Sequence, residues 1–274
     1  MFLAFPAVGK VMPYKSPEDT VRVNGIIGLL RSGNSLSTGD KLVLAAEELL
    51  DAEYDDYYEA DSVANLRINL ETFSPLMFVN DVIALVLAAE SPGMADWNTF
   101  AKNLENIACR RGENNGFPSL MYHTSDWIGD NISRGNVKEL TENYSGVIPR
   151  TKSLDEMTRR RDHFAALKDS AVFENVRMTE MGFRTHRVPT LKKETIKNKD
   201  IVDDLENGDI IILVPNRDGI DCYDIGFVVK ENGTPHFIHV SPSSKKVVKE
   251  KDEMSRYMSL VTKHFQGYRI IRLQ

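Results

Sequence analysis

Phe73-Ser74-Pro75-Leu76-Met77-Phe78-Val79-Asn80-Asp81-Val82 is the stretch from which the fold is read. Ser74 is a favoured helix N-cap. Pro75 suits the first helical position, where the missing N–H would have no partner and the ring already sets φ near its helical value. Val79, Val82, Ile83, Leu85, Val86 and Leu87 then make the helix apolar on nearly every side, so it belongs in the middle of a domain. A proline side chain can neither attack a carbonyl nor be activated by a base, so position 75 carries no nucleophile.

Upstream, the chain reads as helical. Ser16-Pro17-Glu18-Asp19 supplies a cap, a first-turn proline and acidic residues that suit a helix N-terminus, and Gly33 closes that helix. A second helix starts at Ser37, with Leu42, Val43, Ala46, Leu49 and Leu50 on one face. The tyrosine-rich acidic run Glu53 to Glu59 has neither helical nor strand periodicity and reads as a loop, either a cleft rim or a solvated surface.

Downstream, Asp96 to Arg111 before Gly112 and Asp126 to Arg134 before Gly135 predict two more helices. The capping box Ser153-Leu154-Asp155-Glu156 predicts a charged helix through Lys168. Its Arg159-Arg160-Arg161 run reads as a solvated face more readily than as an anion patch. From residue 207 the pattern turns to strands: Ile210 to Val214, Asp224 to Lys230, Pro235 to Ser241 and Tyr268 to Leu273. Between the middle pair, Glu231-Asn232-Gly233-Thr234 predicts a type I′ hairpin turn. Helices first and an antiparallel sheet second is an α+β order. Residues 1–15 read as a tail and 16–274 as one domain.

Of 274 residues 42% are hydrophobic, which suffices for a substantial core. The net charge of -6, with no dense basic stripe, argues against a nucleic-acid partner. Cys109 and Cys222 stand alone without metal-ligand spacing, so no zinc site, cofactor or disulfide framework is indicated. Phe2 to Val8 is too short to span a membrane and has no basic flank. It reads as the tail of a signal sequence or as a few terminal residues, which leaves the compartment open.

Three segments together resemble the N-acetylmuramoyl-L-alanine amidase-like branch of the NlpC-type, papain-like cell-wall hydrolases. Phe73 to Val82 is similar to that family's Phe-Asp-Cys-Thr-Thr-Phe-Val-Glu-Asn-Val helix start. Tyr122 to Asn131 is similar to its His-Tyr-Phe-Ser-Asp-Trp-Ile segment. Asn207 to Ser241 is similar to its Gly-Asp-Ile-Ile, His-Val-Gly and His-Ala-Ser strands. Leu36-Ser37-Thr38-Gly39 and Tyr54 extend the similarity to residues 16 to 273.

The resemblance implies a papain-like fold with a buried helix packed on an antiparallel sheet. It also locates three catalytic positions and shows two of them changed. Pro75 stands where the family has its nucleophilic cysteine, and Asp224 where it has the histidine base; His239 retains the third, orienting position. Two neighbouring strands would carry Asp224 and His239 toward the N-terminal end of the Pro75 helix.

The chain is therefore expected to be a non-catalytic relative, holding a peptidoglycan fragment or a protein partner in the former cleft. Tyr54, Tyr57, Tyr122, His123, Asp126, Trp127 and His239 are the expected binding residues. Two alternatives stay open. Cys222, sharing a strand face with Asp224 and facing His239, would serve a hydrolase with a relocated nucleophile, although it lacks a helix N-terminus to favour its thiolate. A cleft filled by side chains would mark a structural or assembly protein.

Overall fold

The computed structural model describes residues 17–56 and 66–274. The expectations for the N-terminal tail and for Tyr57 lie outside the described residues. In chain order the elements are α1 (Pro17–Ser32), α2 (Thr38–Glu47), β1 (Glu53–Tyr54), β2 (Thr72–Phe73), α3 (Pro75–Glu90), α4 (Trp97–Ala108) and α5 (Thr124–Ser133). Then come β3 (Val137–Glu139), β4 (Arg150–Lys152), α6 (Glu156–Arg159), α7 (Ser170–Met181), β5 (His186–Val188), β6 (Leu191–Lys192) and α8 (Lys199–Asp204). The C-terminal part is β7 (Ile210–Pro215), β8 (Asp224–Glu231), β9 (Thr234–Ser241), β10 (Lys246–Lys249), α9 (Met254–Leu260) and β11 (Phe265–Leu273).

Helix α3 starts as its sequence demands. Ser74 has extended backbone at the N-cap position and Pro75 occupies the first turn. Buried residues on every side, Leu76 to Val86 among them, pack α3 against α1, α2, α4 and the sheet. The main sheet is ordered β2-β1-β10-β9-β8-β7-β11-β3, with β6 also paired to β11. Alternation along the central strands divides it into two buried faces. Ile212, Ile225, Phe227, Ile238 and Val240 join the core built around α3. Ile211, Leu213, Val228, Phe237 and Ile270 join a second core with Met254, Tyr257 and Met258 of α9. The architecture is α+β, as expected.

The β8–β9 turn matches its sequence: Asn232 and Gly233 both have positive φ, 50° and 85°, as a type I′ turn requires. Gly226 faces His239 across the same hairpin. A Cβ at Gly226 would lie 2.2 Å from the Ile238 carbonyl oxygen, so only glycine allows the two strands to approach this closely.

Three expectations are corrected. The Glu53 to Glu59 loop contains strand β1, because the Glu53 and Tyr54 backbones pair in parallel with Thr72 and Phe73. The charged helix from Ser153 to Lys168 shrinks to the four residues of α6 followed by 3₁₀ turns. Its capping box never forms: the Glu156 carboxylate is taken by Arg159, Arg160 and Arg217, and the Asp155 and Glu156 amides bond to the Gly219 carbonyl. Helix α5 begins two residues before Asp126, with His123 at its N-cap position.

Candidate functional site

The N-terminal end of α3 opens on a cavity of about 200 Å³. Ser74, Pro75 and Leu76 form one wall, Tyr122, His123 and Thr124 at the start of α5 another, and Tyr54 and Asp56 a third. Ile220 to Tyr223, in the loop before β8, complete it. Elements far apart in sequence meet here: the starts of α3 and α5 and the loop between β7 and β8.

The two walls are tied by Asp221. Its buried carboxylate accepts from the first amides of α5, Thr124 (3.1 Å) and Ser125, so a loop carboxylate caps the helix in place of the N-cap side chain. Burial alone would raise its pKa, but the neighbouring His123, the Ser125 bonds and Arg269 lower it below the ordinary value. Asp221 is thus held ionised.

His123 is 3% exposed and its Nε2 lies 2.8 Å from Glu180 Oε1 of α7. Glu180 also accepts from the amides of Met157 and Thr158; burial pushes its pKa up, and these bonds with the His123 contact bring it below the usual carboxylate value. A carboxylate that accepts from Nε2–H assigns the neutral His123 ring the tautomer with a free lone pair on Nδ1. Among the described residues that Nδ1 has no protein partner, and two further cavity residues carry buried oxygens that likewise have none: Ser74 Oγ and Thr124 Oγ1.

Of the residues expected at the site, Tyr54, Tyr122 and His123 line the cavity beside Pro75 and Cys222. Trp127 does not: it is wholly buried, and its Nε1 donates to Asn80 Oδ1 of α3 at 2.8 Å. It locks α5 onto α3 instead of presenting a surface to ligand. Asp126 is ion-paired with Arg110 away from the cavity lining.

Asp224 and His239 lie on neighbouring antiparallel strands and share a face, but that face carries α9, not the start of α3. His239 Nδ1 is 2.8 Å from Asp224 Oδ2 and Nε2 is 3.0 Å from Glu250 Oε1. The ring stacks on Phe237 at 4.6 Å and meets Tyr257 edge-on, while the Tyr257 hydroxyl donates to Asp224. Burial alone would lower the His239 pKa; the Asp224 and Glu250 carboxylates outweigh it and raise it to about 9. The imidazolium is therefore a buried cation between two anions, serving the second core.

Cys222 precedes β8 instead of lying in it, so the expected set of Cys222 and Asp224 on one strand face with His239 on the partner strand does not form. Burial, then the charges of Asp221 and Asp224, push the thiol pKa well above its ordinary value, which opposes thiolate. Sequence reasoning missed Asp221, Glu180 and Asp56. Asp221 adjoins Cys222, but no local pattern shows that its partners lie almost a hundred residues upstream.

An α+β protein with an open cavity at the start of its central helix is the class these features define. The chain belongs to the N-acetylmuramoyl-L-alanine amidase-like family, whose sequence profile matches residues 50–263. Among solved structures, it is similar to an N-acetylmuramoyl-L-alanine amidase from Bacteroides uniformis, with 23% identity, TM-score 0.76, and coverage of 86% of this chain and 99% of that one. It is also similar to a putative xylanase from Bacteroides fragilis, with 27% identity, TM-score 0.74, and coverage of 83% and 99%. A Legionella pneumophila protein matches at 16% identity and TM-score 0.70 over 94% and 97% of the two chains. Comparison with the curated proteins gave no match. Among the described residues, no cluster of His, Cys, Asp and Glu forms a metal site and no helix is long and apolar enough to cross a membrane.

Proposed function

We propose that the protein is a catalytically degenerate member of its family, of NlpC-type papain-like descent, that binds a cell-wall fragment in the cavity at the start of α3. The observation that carries this reading is Pro75 on the cavity wall, at the position that the family resemblance assigns to the nucleophile. Proline offers no nucleophilic atom. The position matched to the base, Asp224, is engaged by His239 and Tyr257 in the second core. What remains is open volume with tyrosine, hydroxyl and imidazole groups, the mixture of apolar surface and a few polar atoms that suits a peptide or glycan ligand.

A second reading draws on one observation. Cys222 and His123 line the same cavity, and Glu180 orients His123 as a carboxylate orients the imidazole in thiol hydrolases. Against it stands the thiol itself, with two carboxylates nearby and a raised pKa. Incubation with purified muropeptides, following cleavage and binding in the same samples, tests both. Binding without cleavage supports the degenerate receptor. Turnover that disappears in Cys222→Ala establishes the relocated-thiol enzyme, and neither binding nor turnover at millimolar muropeptide leaves a structural role.

A further inference from the structure

The charge of the cavity selects among ligands. Asp56 at the rim and Asp221 in the wall are its acidic lining residues, and no lysine or arginine lines it among the described residues. Asp221 is held as an anion, and its two oxygens still have acceptor capacity beyond the α5 amides they bind. Asp56 is exposed and accepts from the Tyr54 hydroxyl.

The remaining polar groups of the wall add to this. With Nε2 committed to Glu180, His123 leaves Nδ1 without a partner among the described residues. Ser74 Oγ and Thr124 Oγ1 are two buried hydroxyl oxygens in the wall with no partner among the described residues. A carboxylate or phosphate entering this cavity would meet the like charge of Asp221. A primary ammonium carries three N–H donors and no acceptor, and tyrosine faces attract such a cation: Lys245 Nζ already sits 4.1 Å from the centre of the Tyr54 ring, and Tyr122 and Tyr223 also line the cavity.

We infer that the cavity is a receptor for a primary ammonium, so that the protein holds the free amine end of a peptide in preference to the same peptide N-acylated. This rests on the reading of the cavity as the ligand site. It also places the protein in a reaction sequence. A peptide bearing that amine is what hydrolysis of an amide releases, so an amide hydrolase must supply the ligand. The protein would then bind the product of such a reaction, and the absence of a nucleophile at Pro75 would cost it nothing.

Isothermal titration of the full chain at neutral pH with L-alanyl-D-isoglutamine, its N-acetylated form, muramyl dipeptide and the unrelated dipeptide L-alanyl-L-alanine tests this. The expected result is that acetylation weakens binding at least tenfold, and that Asp56→Asn, a change at an exposed side chain, shrinks that ratio severalfold. Equal or tighter binding of the acetylated peptide overturns the inference; if muramyl dipeptide still binds, the cell-wall reading survives it. Conversely, if L-alanyl-L-alanine binds as well as the isoglutamine peptide and shows the same dependence on its amine, the ammonium receptor stands and the cell-wall assignment falls. No heat from any of the four at millimolar concentration overturns both.

Discussion

Raising the pH from neutrality should unlock the second core through His239. In the folded protein this imidazole titrates near 9 against 6.5 for an unperturbed histidine, because Asp224 and Glu250 hold its proton on both sides. The stabilisation is fully present below pH 6.5, where folded and unfolded chains are both protonated. It declines as pH rises toward 9, because only the folded chain keeps the proton there. At about 1.4 kcal/mol per pH unit, the loss across that window is on the order of 3 kcal/mol. For a protein of this size that is roughly 10 °C in Tm. Urea unfolding at half-unit steps from pH 6 to 9.5 measures it. In Glu250→Gln, altered at a side chain that is 26% exposed, the decline should be shallower and end at lower pH, since Asp224 alone then holds the proton. Stability that is level across this window in the unaltered protein, or an identical decline in Glu250→Gln, would refute the buried imidazolium and with it this account of how α9 is held.

Further outcomes follow from the same geometry. Trp127→Phe deletes the Nε1 donor and leaves Asn80 Oδ1 buried without its partner; with the lost ring volume this should cost about 3 kcal/mol in a denaturant melt. Muropeptide affinity of the folded fraction should stay within about twofold, on a scale where tenfold is about 1.4 kcal/mol, and a large affinity loss would return Trp127 to the cleft. Gly226→Ala forces a methyl group against the Ile238 carbonyl, and overpacking of about 1–3 kcal/mol or more should appear as a lowered urea midpoint. Pro75→Cys should yield no muropeptide cleavage by chromatography, since Asp224 faces the second core and no histidine aligned for that position is in its place. Efficient turnover by that single variant would show that His123 already serves as its base.

How far the sequence could be read is clearest element by element. Helix α3 was legible because its signals are local: a cap, a first-turn proline and an unbroken apolar run. The β8–β9 hairpin was legible because Asn-Gly selects one turn geometry. The charged helix after Ser153 was misread for a reason no window reveals. Its capping glutamate finds better partners in Arg159, Arg160 and Arg217, the last of them sixty-one residues away.

The site divides along the same line. By itself the sequence determined that an apolar helix begins at Pro75, which offers no nucleophile at that position, and that Asp224 and His239 sit on paired strands, since cap chemistry and strand alternation are properties of neighbouring residues. Only the tertiary structure decided where those side chains point. Alternation says that Asp224 and His239 share a face but not which face, and the packing of α9 turns that face away from the cavity. Trp127, an aromatic beside an acid, reads equally well as rim or core until Asn80 of α3 is found beneath it. Asp221, Glu180 and His123 converge through contacts spanning 57 to 97 residues of chain, a distance over which no local pattern carries information about charge, burial or hydrogen bonding.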